Sequence, residues 1–143
     1  MVEGMYSSVR SGTVCGVEGF EIGVEVDVSN GLPMFSMVGY LGSEVKEAQE
    51  RVRTALKNSG FMLPAKRITV NLSPANLHKE GSAFDLAIAV AILIAIGCIS
   101  QDSITEYIVL GELGLNGDVR SVNGVLPMLS YAQKMGVKKA IVP

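Results

Sequence analysis

The chain has 143 residues, 48% of them apolar and 18% charged, with mean hydropathy +0.37 and a formal net charge of −2 from 12 Lys+Arg against 14 Asp+Glu. That length is one domain's worth of sequence, and the composition is too apolar for a disordered segment. The near-neutral balance excludes a domain that coats nucleic acid by bulk charge, which leaves only a local basic patch for that task.

Residues 1–12 are polar and lack the apolar run of a signal peptide, so they read as a leader, with Met5 as a start residue behind it, or as the start of the first strand. From Thr13 to Ser29 apolar residues alternate with Glu21, Gly23, Glu25 and Asp27, the period of a strand with one wet, acidic face. Asn30-Gly31-Leu32-Pro33 is turn chemistry, and Met34 to Val38 reads as a second strand pairing with the first in an opening hairpin. Ser43 then caps a helix carrying Val45, Ala48, Val52, Ala55 and Leu56 at helical spacing, with Glu47 and Arg51 as an i,i+4 pair and Gly60 as its stop.

Lys66 to Ser73 alternates again and predicts a strand ending at Pro74. Ser82 to Gly97 predicts a helix that is apolar on nearly every face and therefore buried; its run Leu86–Ile99 is too short for a bilayer, which takes about 20 residues. Tyr107 to Leu115 is expected to be a strand turned by Asn116-Gly117, with Val119 and Val122 returning. Leu126 to Lys134 then predicts a helix closed by Gly136, and Lys138 to Val142 a last strand. The order is that of an α+β fold, a mixed sheet with packed helices.

Charge is distributed unevenly: residues 1–43 carry −4, residues 44–80 carry +3 and residues 81–143 carry −1. The basic block holds Lys46, Arg51, Arg53, Lys57, Lys66, Arg67 and Lys79, the one candidate anion-binding surface in the sequence. It reads equally as a solvated helix face balanced by Glu44, Glu47 and Glu50.

Cys15 and Cys98 stand far apart with no Cys-x-x-Cys and no His at ligand spacing, so no zinc site or disulfide framework is expected and a reducing, cytoplasmic compartment fits. No G-x-x-x-x-G-K-[ST] occurs, which removes the phosphate cradle of a P-loop. Gly111, Gly114 and Gly117 form a G-x-x-G-x-x-G series that ends in a turn instead of opening a helix, so it is no dinucleotide fingerprint. Ser82 reads first as an N-cap with Asp85 completing a capping-box-like arrangement, and second as a weak candidate nucleophile among the orphan amides of a helix start. His78 is the lone histidine, in a polar loop without triad spacing, and Glu112 with Asp118 makes no clear acid-base pair.

Four stretches together resemble the competence protein ComM family: Glu50-Arg51-Val52-Arg53, Leu56 to Phe61, Arg67 to Ala75, and Lys79-Glu80-Gly81-Ser82-Ala83-Phe84-Asp85-Leu86. Gly111-Glu112-Leu113 and the closing Ile141-Val142-Pro143 agree, so the likeness runs from about Gly12 to Pro143. The resemblance implies the N-terminal Lon-like domain of a magnesium-chelatase-like AAA+ ATPase, residues 13–143, with a fold of the ribosomal-protein-S-five domain-two type. It implies a hexameric, ring-shaped motor acting on DNA in transformation or recombination. ATP and magnesium then belong to an AAA+ module outside this sequence, with that module, further copies and DNA as partners and no membrane.

Active Lon-type domains place their nucleophile in Lys-Asp-Gly-Pro-Ser-Ala and a lysine after a later Gly-Gly. Here Lys79-Glu80-Gly81-Ser82-Ala83 puts Ser82 where the proline stands without a gap, and Leu126 holds the lysine's place. Without a base Ser82 is a poor nucleophile, so the chain is expected to be non-catalytic, a Ser-based peptidase or a regulatory module without DNA binding being the alternatives. Against the family pattern, Tyr40-Leu41-Gly42 replaces Leu-Pro-Asp and His78 replaces Pro, both in loops. Magnesium insertion into a porphyrin finds neither a tetrapyrrole-ligating motif nor a metal cluster, and no cofactor or metal residue is assigned. The expected function is assembly, DNA engagement through Arg51, Arg53, Lys57, Lys66, Arg67 and Lys79, or both.

Overall fold

The computed structural model describes residues 5–143; residues 1–4, the rest of the expected leader, lie outside the described residues. The chain runs β1 (Met5–Cys15), β2 (Glu18–Ser29), β3 (Met34–Val38), α1 (Ser43–Lys46), α2 (Ala48–Asn58), β4 (Arg67–Ser73), α3 (Asp85–Ala95), β5 (Tyr107–Val109), β6 (Glu112–Leu113), β7 (Val119–Arg120), α4 (Val125–Lys134) and β8 (Lys139–Ile141). The main sheet has the order β3-β4-β2-β1-β5-β8, and β6 and β7 form a separate two-stranded ribbon. The sheet is mixed: β1 is antiparallel to β2 and β2 to β4, whereas β3–β4, β1–β5 and β5–β8 are parallel. This is the expected α+β class, and the mixed sheet with helices is consistent with a Lon-like domain.

The opening hairpin differs from the sequence expectation. Met5–Cys15 is a full strand, so residues 5–12 belong to the sheet, and β1 pairs with β2 along its whole length from Met5↔Val28 to Cys15↔Glu18. Strands β2 and β3 do not pair, because β4 lies between them. The reason β1 hides in the sequence is its inward face: Ser7, Ser11 and Thr13 are buried beside Val9. The Ser7 hydroxyl donates to the Ala91 carbonyl of α3 at 2.5 Å and Ser11 to the Val109 carbonyl at 2.8 Å, so these small polar groups are satisfied where periodicity demands apolar ones.

Two cores flank the sheet. The larger one joins Ile22, Val24, Val26 and Val28 of β2 and Val70 and Leu72 of β4 to Val52 and Leu56 of α2 and to Ala87, Ile88 and Ile92 of α3. Each fully buried Ile or Leu there is worth about 2 kcal/mol of transfer free energy. The smaller one gathers Ile108 and Leu110 with Met128 and Ala132 of α4. Neighbouring residues of β5 serve both, Val109 the larger core and Ile108 the smaller, as the strand's period of two requires.

Helix α4 docks against the β1–β2 hairpin at Gly19, where a Cβ would lie 2.6 Å from the Pro127 carbonyl oxygen. On the sheet's polar side the Tyr6 hydroxyl and the Asn71 amide both donate to Glu25, at 2.6 and 2.9 Å, and these bonds hold its carboxyl below the usual range. The first helix breaks at Glu47 into α1 and α2, and its N-cap is Gly42 with no side-chain bond, so Ser43 is not the cap. At the far end the Asn116-Gly117 reversal is wider than a two-residue loop. Gly114 N–H donates to the Asp118 carbonyl and Gly117 N–H to the Gly114 carbonyl, both at 2.9 Å, with Gly117 at φ +93°. Among the described residues no helix is long and apolar enough to cross a membrane.

Candidate functional site

The six residues expected to form one anion-binding surface are divided by the fold. Arg51, on α2, turns inward and grips Asp85 at the start of α3 with two bonds, Nε–Oδ2 at 2.6 Å and Nη2–Oδ1 at 3.0 Å. Its Nη2 also donates to the Glu44 carbonyl at 2.9 Å, and Nη1 lies 3.8 Å from Glu47 in the expected i,i+4 pair. Asp85 is fully buried and takes a third bond from the Leu113 amide at 3.1 Å. Burial pushes the Asp85 carboxyl up, opposed by the Arg51 and Leu113 hydrogen bonds, while the carboxylate raises Arg51 in turn. Arg51 is thus a tie between α2, α3 and β6.

Lys79 also leaves the surface. Its side chain is fully buried, its ammonium donates to the Gly39 carbonyl at 2.5 Å and to the Pro74 carbonyl, and burial lowers its pKa. Main-chain bonds Lys79 N–H to Tyr40 O and Gly42 N–H to Lys79 O, at 3.0 and 2.8 Å, complete a clasp between the 39–42 and 74–80 loops. The two loop positions that depart from the family pattern meet in this clasp: the Tyr40 and His78 rings are edge-on at 4.7 Å between centroids.

Four of the six cations remain at or near the surface, and two of them share a depression. Arg53 and Lys66 line a depression of about 230 Å³ with Phe35, Met34 and Leu63, and Arg67 follows Lys66 at the start of β4. The Arg53 guanidinium lies 5.6 Å from the Phe35 ring centroid and 3.0 Å from Glu50. Lys57 is exposed one turn further along α2, and Lys57, Lys66 and Arg67 make no ion pair among the described residues. Leu32, Met34 and Met62 are exposed large apolar residues in this part of the chain.

Ser82 lines a groove of about 770 Å³ whose walls come from the β1–β2 turn, the 80–83 loop, the 121–124 loop and α4. It is not the N-cap of α3: that position is Phe84, with no side-chain cap bond. Its hydroxyl instead donates to Glu112 Oε1 at 2.5 Å, while Asp85 is committed to Arg51. No Lys, Arg or His lines this groove, Lys79 is held by its two carbonyls, and Leu126 is 78% exposed. Sequence reading missed the pairing of Ser82 with Glu112, since thirty residues separate them and they belong to different motifs.

No group of three or more His, Cys, Asp or Glu side chains among the described residues could hold a metal ion. With no P-loop in the sequence either, the residues present do not fit an ATP-magnesium site.

A family model described as subunit ChlI of Mg-chelatase matches residues 24–143. Competence protein ComM of Haemophilus influenzae is 48% identical over 126 residues, 88% of this chain and 25% of that protein. Lon protease 2 of Bacillus subtilis is 33% identical over 101 residues, 71% of this chain and 18% of that protein. DNA repair protein RadA of a Synechocystis species is 38% identical over 84 residues, 57% of this chain and 16% of that protein. The chain therefore spans about a quarter of the length of the ComM relative. Taken with the mixed sheet, these likenesses settle the lineage: the chain belongs to the family described as subunit ChlI of Mg-chelatase.

Proposed function

We propose that this domain engages DNA as the N-terminal, non-catalytic part of a larger ComM-like AAA+ ATPase, and that it helps that ATPase assemble as a ring. The observation that carries the reading is the pair Arg53 and Lys66 lining one depression, with Lys57 and Arg67 exposed close by in the sequence and Lys57, Lys66 and Arg67 free of ion pairs among the described residues. Unpaired surface cations can release condensed counterions from phosphates even when the whole chain is weakly acidic. A likeness to a competence protein and to a DNA repair protein supports the same direction.

ATP and magnesium act in the remainder of the longer protein, whose module is the first partner of this domain, and a cytoplasmic location follows from work on DNA. Exposed Leu32, Met34 and Met62, of which Met34 lines the depression, supply apolar area for contact with that module or with further copies. Fluorescence anisotropy of labelled single-stranded DNA, titrated with the 143-residue chain at two salt concentrations, tests the DNA half. Saturable binding that weakens steeply with salt is expected; no binding at high micromolar protein would leave a regulatory or scaffolding module without DNA contact.

A further inference from the structure

Strand β3 is one edge of the main sheet and β8 is the other, and the two edges are finished differently. Strand β8 is only three residues long, opens on exposed Lys139 with Lys138 before it, and Lys139 is tied to Glu106 at 3.7 Å. Short length and lysine are devices by which sheets keep other strands away. Strand β3 has no such guard. Met34–Val38 holds no charge and no proline, and its register with β4 runs without a bulge from Met34↔Arg67 to Val38↔Asn71. Among the described residues its main chain makes no backbone hydrogen bond outside that ladder.

The open face of β3 is apolar as well. Phe35 belongs to the core, while Met34 and Val38 are exposed with Ser36 between them, and exposed Leu32 and Tyr40 stand beyond the two ends. No charged residue occurs between Asp27 and Glu44. An apolar stripe along an unguarded edge marks a surface that another chain covers.

The symmetry of the stripe says which chain. When a strand pairs antiparallel with its own copy about a two-fold axis, residues equidistant from the axis come opposite each other, and a charge at the axis would meet its like. With the axis at Ser36, Met34 lies opposite Val38 of the second copy and Ser36 opposite itself, while Leu32 comes toward Tyr40. Apolar then meets apolar along the open face and no like charges meet, so the strand is its own complement.

We propose that two copies of this chain associate through β3, antiparallel about a two-fold axis at Ser36, so that their main sheets become continuous. Such a contact is the same on both copies and joins them in pairs, unlike the head-to-tail contact that closes a ring.

Sedimentation velocity of the 143-residue chain over a concentration series is expected to show a monomer-dimer equilibrium. Ser36→Lys sets two like charges on the axis, on the face away from the core, and should weaken association about tenfold while leaving the urea unfolding curve as in the parent. The register is read with single cysteines in a Cys15→Ser/Cys98→Ser background, because both native thiols are exposed. Oxidised Ser36→Cys should yield a covalent dimer, since facing residues of paired strands lie within disulfide reach. Thr69→Cys, which neighbours Ser36 on β4, would stand about 14 Å from its copy, three strand spacings away, and should yield none. A parent chain that stays monomeric at high micromolar concentration, undiminished association in Ser36→Lys, no cross-link in Ser36→Cys, or equal cross-linking in Thr69→Cys would each overturn the proposal.

Discussion

Arg51 and Asp85 form a two-point ion pair, 2.6 and 3.0 Å, that locks α2 to the first turn of α3, with the Leu113 amide of β6 as the third member. Asp85 is fully buried, so removing its partner leaves a charge without compensation in the core. Arg51→Met is accordingly expected to destabilise the chain by about 3 kcal/mol in urea unfolding, and Asp85→Leu with Arg51→Met together by less than either change alone. Additive losses in that double-mutant cycle would show that the pair is not coupled.

The clasp at Lys79 predicts a pH dependence. Burial lowers the folded-state pKa from the ordinary value of 10.5, so between the two values the unfolded chain holds a proton that the folded chain does not. Stability contributed by this group must therefore rise with pH across that alkaline window, up to the unfolded value. Lys79→Met removes the rise, and because the side chain faces inward its DNA affinity should match the parent's. A flat alkaline profile in the parent, measured by urea midpoints, would remove Lys79 from the buried role.

Strand β1 depends on hydroxyls that no apolar pattern reveals. Ser7→Ala and Ser11→Ala each delete a buried hydrogen bond to a carbonyl and are expected to cost about 1 kcal/mol in denaturant unfolding. No loss in either variant would mean that water satisfies the Ala91 and Val109 carbonyls instead.

These particulars mark where the sequence is readable. Alternation made β2 and β4 plain, helical spacing made α2 plain, and the uniformly apolar run made α3 plain, since each pattern follows from burial of one face or of all. The helix expected over Ser82 to Gly97 spans only Asp85–Ala95, because Ser82 resembles a cap while its hydroxyl serves Glu112 across the groove. Strand order was not legible: β3 follows β2 after a turn-like tetrapeptide, yet β4 takes the place between them, and a strand's period says which face is buried without naming its neighbour. Of the six expected DNA contacts, Arg53 and Lys66 line one depression and Lys57 and Arg67 are exposed, whereas Arg51 and Lys79 have buried partners contributed by distant segments. Residue type alone cannot separate those two groups.

The basic surface predicts a salt slope. With four phosphate contacts on single-stranded DNA, log affinity should fall by about 3 per decade of salt, and Lys66→Ala/Arg67→Ala should reduce that slope by about 1.4. An unchanged slope in this variant would place the contacts elsewhere.

The most direct measurement compares single-stranded DNA binding of the parent chain with that of Arg53→Glu/Lys57→Glu, by anisotropy at low salt, after unfolding curves show that both are folded. The account predicts salt-sensitive binding by the parent and its loss in the variant. Equal binding by the two, or none by the parent, would contradict DNA engagement through this surface.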